Sequence, residues 1–219
     1  MNSTIRLVCA LQICAATAIA QPLTPDLAQF ADSSVWSIQD RTASKVPGHP
    51  SAMRLDARRG EGVAWLIGSD FAEGTFEVDL RGANVPGRSF VGVAFRGADD
   101  SHYDAIYFRA FNFMSPEKVR RSRAVQYVSM PEHTWQALRE KHPGKYEAAI
   151  NPVPDPDDWF HARIVVADRT IRVFVNDSEE PCLTVSELSD RLDGRVGLWV
   201  GDGSGGDFAR FTITSREKP

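Results

Sequence analysis

Along most of the chain beyond residue 60, apolar side chains recur at every second position, a period that selects strands over helices. In "TFEVDLR" (75–81), Phe76, Val78 and Leu80 fall on one side, and Thr75, Glu77, Asp79 and Arg81 on the other. In "WFHARIVV" (159–166), Phe160, Ala162, Ile164 and Val166 oppose Trp159, His161 and Arg163. Further short runs at 63–68, 89–97, 103–113, 123–130, 170–177, 195–201 and 207–214 are rich in β-branched and aromatic residues and bounded by Gly, Pro, Asn or Asp, the punctuation of strands. So many strands are too many for one open sheet with a wet face. Two packed antiparallel sheets bury them, which predicts an all-β sandwich, or jelly roll, as a single domain over residues 21–219. Only "PEHTWQALREKHPG" (131–144) has helical spacing, with Trp135, Leu138 and Arg139 on one side, so a short helix is expected between strands. The proline-rich "NPVPDPDD" (151–158) reads as a loop, because strands on both sides of it are needed to complete a core.

One stretch breaks the pattern. "YDAIYFRAFNF" (103–113) read with a period of two places Tyr103, Ala105, Tyr107, Arg109, Phe111 and Phe113 together, and neither face is cleanly dry or wet. Rings beside a guanidinium and amides suit a ligand that offers C–H groups to aromatic faces and hydroxyls to directed hydrogen bonds. A saccharide on a concave outer sheet face meets that description; the alternative is a solvated face of snorkelling side chains.

Composition narrows the setting. The 219 residues are 42% hydrophobic and 25% charged, enough for one full core. "MNSTIRLVCALQICAATAIA" (1–20) has one charge, Arg6, then an apolar run and the small-x-small end Ala18-Ile19-Ala20, so it reads as a secretory signal cleaved before Gln21. Secretion or a periplasmic location follows from that reading, and no run is long enough for a membrane span. Of the 25 basic side chains only Arg6 would leave with the leader, so 24 remain against 29 acidic ones, a net charge of −5. Nucleic acid is thereby a poor partner. Cys182 would be the single remaining cysteine, read as a small buried hydrophobe.

The segments "GTFEVDLRG", "SFVGVAFRG", "YDAIYFRAFNF", "WFHARIVVADRTIRVFVND" and "GRVGLWVGDGSGGDFARFTI" together resemble the concanavalin A-like, laminin-G-like jelly roll superfamily, within it the bacterial 3-keto-disaccharide hydrolase family. The likeness spans most of residues 62–214. It implies a secreted protein acting on modified sugars, hence a glycoside-cleaving enzyme; a non-catalytic glycan-binding or adhesion module on the same sandwich is the alternative.

A 3-keto sugar acidifies its neighbouring C–H, so cleavage needs a base, an acid and a partner for the enolate. Residue type offers Arg109 for the enolate and His133, Glu147 or Tyr127 as acids or bases. Glu77-Val78-Asp79 supplies half of the Glu-x-Asp-x-x-Glu strand motif of glycosidases on this fold, with Gly82 breaking the rest. Tyr107, Asn112, Gln126, Trp135 and Arg139 are the expected sugar contacts. Gln126 and Tyr127 should lie on a strand neighbouring Tyr107 and Arg109, and the inserted helix should close one end of the site. Arg109→Lys is expected to weaken the ligand about tenfold while stability stays within roughly 0.5 kcal/mol. Asp202 and Asp207, with Ser204, form the candidate oxygen cluster for a structural calcium ion, against the alternative of turn formers. No other cofactor is expected. Gly201-x-Gly203-x-x-Gly206 has no helix after it to receive a pyrophosphate, and the five histidines show no zinc spacing.

Overall fold

A computed structural model of the protein describes residues 21–216; the expected leader at 1–20 lies outside the described residues. Fourteen strands follow in order: β1 (Trp36–Gln39), β2 (Ala43–Val46), β3 (His49–Leu55), β4 (Gly62–Leu66), β5 (Gly74–Arg81), β6 (Phe90–Gly97) and β7 (Asp104–Arg109). After β7 come the one-turn helix α1 (Lys118–Arg121), β8 (Val125–Ser129), helix α2 (Trp135–Lys141) and β9 (Glu147–Ala148). The chain ends with β10 (Phe160–Ala167), β11 (Thr170–Val175), β12 (Leu183–Ser186), β13 (Arg195–Val200) and β14 (Gly206–Ser215).

They form two seven-stranded antiparallel sheets. The front sheet runs β1-β4-β13-β6-β7-β8-β9 and the back sheet β12-β11-β10-β5-β14-β3-β2. Phe76, Val78 and Leu80 are buried between them, as the alternation predicts, and so are Phe160, Ala162, Ile164 and Val166. Phe76 from the back sheet and Phe95 from the front sheet stack around Phe71, with ring centres 4.2 to 6.4 Å apart. Buried polar groups tie the layers too. Asp104, on the core side of β7, accepts from Tyr127, Ser189 and Arg191. Cys182 donates to the Val173 carbonyl, and burial pushes its thiol up to about 12.

Two details depart from the sequence pattern. β7 ends at Arg109, and Ala110–Asn112 form a 3₁₀ turn. Phe113 therefore leaves the alternation and packs edge-on against Phe160 in the core, 5.3 Å between centres. Helix α2 is shorter than the expected segment, starting after Thr134, whose hydroxyl accepts from the Ala137 N–H and satisfies the first turn. No helix among the described residues is long and apolar enough to cross a membrane.

Candidate functional site

The outward face of the front sheet carries a row of facing residues fixed by strand register. Trp199 on β13 stands opposite Gly92 on β6, Gly92 opposite Tyr107 on β7, Tyr107 opposite Gln126 on β8, and Gln126 opposite Glu147 on β9. Gly92 is required here. A Cβ at that position would lie 2.1 Å from the Ile106 carbonyl oxygen and 2.6 Å from the Tyr107 Cα. Its absence lets the Tyr107 ring reach across to Trp199, 4.9 Å between centres. These rings floor a pocket of about 730 Å³, within the usual range for small-molecule sites.

At the β8–β9 side the floor ends in arginines. Arg109 is 5% exposed and donates to the Tyr107 hydroxyl (2.8 Å), the Arg123 carbonyl (3.0 Å) and Gln126 Oε1. Burial pulls the Arg109 guanidinium below its usual range, and Tyr107 is pushed up to about 12, chiefly by burial and against the pull of Arg109. Glu147 receives a fork from Arg139 (2.6 and 3.1 Å), with Arg123 at 3.4 Å and Arg109 at 3.8 Å. Arg139 in turn stacks under Trp135, 4.8 Å from the ring centre, and Trp135 is 40% exposed at the rim. Asn112 donates to the Arg123 carbonyl, while its own Oδ1 has no hydrogen-bond partner among the described residues.

At the β4–β13 side the wall is acidic. Trp199 Nε1 donates to the Tyr103 hydroxyl (3.1 Å), which donates to the exposed Glu61. Burial, then the Glu61 charge, raises the Tyr103 pKa, so the phenol stays neutral and remains a donor. Asp202 accepts from the Gly60 N–H at 2.6 Å and also faces the pocket.

The structure thus brings Tyr107, Arg109, Asn112, Gln126, Trp135, Arg139 and Glu147 together. It separates the others. Tyr127 does sit on the neighbouring strand, but with opposite parity to Gln126, so its ring lies in the core and its hydroxyl donates to Asp104. His133 is half-buried, bridges to Ser129 through its backbone, and does not line the pocket. Glu77 lies on the outer face of the back sheet. Asp207 is held by Arg54 and Arg81 at 2.6 to 3.0 Å, so its oxygens are committed to two guanidiniums rather than to calcium. No cluster of three or more His, Cys, Asp or Glu with metal-binding geometry occurs among the described residues. Glu61, Trp199, Phe90 and Arg123 are wall residues that strand pattern did not single out.

Around Glu77 a separate ionic cluster forms. His161 Nδ1 meets Asp79 Oδ1 at 2.9 Å, its Nε2 lies 3.8 Å from Glu77, and Arg210 donates to Asp79 Oδ2. The hydrogen bond that His161 donates to Asp79 raises the His161 pKa against the opposing effect of burial. Burial alone would raise Asp79, but hydrogen bonds from His161 and Arg210 outweigh it and hold Asp79 low. Asp79's contribution is present above its ordinary 3.8 and lost as pH falls through its depressed value. His161's is present below 6.5 and lost as pH rises through its raised value. Stability from this pair should therefore peak between roughly pH 4 and 6.5. Chemical unfolding at pH 6 and 8 should show a drop of at most about 1 kcal/mol, solvent screening included, that His161→Gln abolishes. An unchanged drop in the variant would assign it elsewhere.

No family model and no curated protein matches the chain. Solved structures do. A carbohydrate-binding module, CBM66 from Bacillus subtilis, is 13% identical over 85% of this chain and 98% of its own, with a TM-score of 0.58. The β-glucanase of Bacillus licheniformis is 13% identical over 90% and 99%, TM-score 0.59. The exoplasmic/lumenal domain of VIP36, in its Ca²⁺- and mannose-bound form, is 13% identical over 92% and 93%, TM-score 0.60. At these identities the likeness establishes the jelly-roll fold.

Proposed function

We propose that the front-sheet pocket binds a saccharide, in a protein exported by its N-terminal leader. One observation carries the reading: the exposed ring of Trp135 and the half-buried rings of Phe90 and Phe111, above the buried floor of Tyr107 and Trp199, share a pocket with guanidinium donors and carboxylate acceptors. Sugars need that mixture, an apolar face for ring C–H groups and directed polar partners for hydroxyls. Neighbours on this fold include a carbohydrate-binding module and a glucanase, which is consistent with either binding or cleavage.

Cleavage of a glycosidic bond, with the 3-keto saccharides implied by the family resemblance among its substrates, is the second reading. Glu61 favours it, as a carboxylate on the wall held by a neutral phenol rather than a guanidinium. Glu147 suits proton transfer less, being clamped by Arg139 in a fork.

A panel of glycosides and 3-keto-glycosides, followed by titration calorimetry and by chromatography of products, separates the two. Products that vanish in Glu61→Gln support cleavage; binding without products supports a glycan-binding module. If no saccharide in the panel binds, the saccharide reading fails. Trp135→Ala should weaken the best ligand about tenfold, or about 1.4 kcal/mol, with an unchanged melting curve because the ring stands at the surface.

A further inference from the structure

We infer that the saccharide is acidic, and that its anionic group seats against Arg123 and Arg139 beside Glu147. The inference rests on the saccharide reading and adds its charge. Three guanidiniums surround one carboxylate: Arg139 at 2.6 Å, Arg123 at 3.4 Å and Arg109 at 3.8 Å from Glu147. The remaining donors of Arg109 go to a phenol, an amide and a backbone carbonyl, all neutral. Arg120 on the same wall is already balanced by Glu117 at 2.9 Å. The cluster is left with two uncompensated positive charges, one of them on the deeply buried Arg109. Unbalanced charge at a partly buried site is costly, and an incoming anion relieves the cost. Burial is the main cause that lowers the Arg109 pKa; Tyr107 and Glu147 oppose it, and Arg139 and Arg123 add to it.

The opposite wall has the reverse sign. Glu61 and Asp202 meet only neutral donors in their hydrogen bonds, a phenol and a backbone N–H. Across the floor at Tyr107, whose phenol feels both Arg139 and Glu61, the sign reverses toward Glu61. A ligand charged along its whole length would meet repulsion there. The arrangement fits an oligosaccharide with its acid at one end and neutral sugars toward Glu61. Guanidinium forks match carboxylate and sulfate oxygens alike, so a uronic acid and a sulfate ester are the two sources of such a group.

The test uses the full-length exported protein and three oligosaccharides that differ only at one terminal residue: neutral hexose, hexuronate and hexose sulfate. Titrations run at about 20 and 200 mM salt, because partly exposed charge pairs are screened. At least one acidic ligand should bind tenfold or more tightly than the neutral one, with the margin shrinking at the higher salt; which of the two it is identifies the source. Arg123→Gln, at a side chain one-third exposed, should erase the margin by weakening the acidic ligand tenfold or more. Equal or tighter binding of the neutral ligand, or a margin that survives Arg123→Gln, overturns the inference while the saccharide reading stands. If none of the three binds, the inference falls, and the glycoside panel decides the saccharide reading by itself.

Discussion

Arg109→Lys should lower the unfolding free energy by about 2 to 3 kcal/mol and weaken the saccharide at least tenfold. The guanidinium is 5% exposed and serves three acceptors on two strands and a loop: Tyr107, Gln126 and the Arg123 carbonyl. A lysine retains the charge but presents a single ammonium where a fork is needed, so at least one acceptor loses its partner. Hydrogen bonds to charged groups are worth about 1.5 to 3 kcal/mol each, and a buried acceptor left bare incurs its desolvation cost. The sequence-based expectation that stability would stay within roughly 0.5 kcal/mol treats Arg109 as a surface fork aimed at ligand, and the burial of the side chain overturns it. Binding suffers through position, because Arg109 holds the Tyr107 ring against Trp199. Denaturant unfolding with titration calorimetry on the same variant checks both parts. Parental stability in Arg109→Lys would contradict the hydrogen-bonded knot.

Phe76→Ala should cost more, about 3 to 5 kcal/mol, the range for truncating a buried aromatic. Phe76 has no exposed surface and packs against Phe71 and Phe95, so the cavity opens where the sheets meet and backbone on both sides resists collapse. On the same strand, Glu77→Gln should shift stability by less than about 0.5 kcal/mol, because Glu77 is solvated and its contact to His161 is 3.8 Å long. The pair of variants measures strand parity directly: if Glu77→Gln is the costlier change, β5 has been assigned inside out.

Parity also explains what the amino-acid order could reveal. Strands β5 and β10 are legible because each buries one face in alternation, and their residues fall where the pattern put them. β1 and β2 are four residues each and half polar, and β3 carries Pro50, so their strand character comes from pairing with neighbours rather than from side-chain pattern; β12 alternates but over only four residues. Rings continue past Arg109 at the same spacing, which hid the 3₁₀ turn that ends β7. Tyr107, Arg109 and Gln126 could be grouped because β7 and β8 follow each other along the chain. Glu61 and Trp199 could not, since β4 and β13 reach the same floor through crossovers that no local pattern encodes. Tyr127 was misplaced by one residue of register, which in a strand reverses the side chain.

The floor and the wall of the pocket differ in how they tolerate a change of length. Tyr107, Gln126, Gly92 and Trp199 sit in paired strands, where a single inserted residue would turn the opposite faces outward and expose the core. Arg123, Trp135 and Arg139 instead belong to the two connections that leave and return at β7, β8 and β9. Changes of length there leave every strand pairing intact. Substitutions at the exposed tips of those two connections would therefore reshape the pocket rim, while the sheets and the buried Phe113 and Leu138 that the connections also carry stay in place.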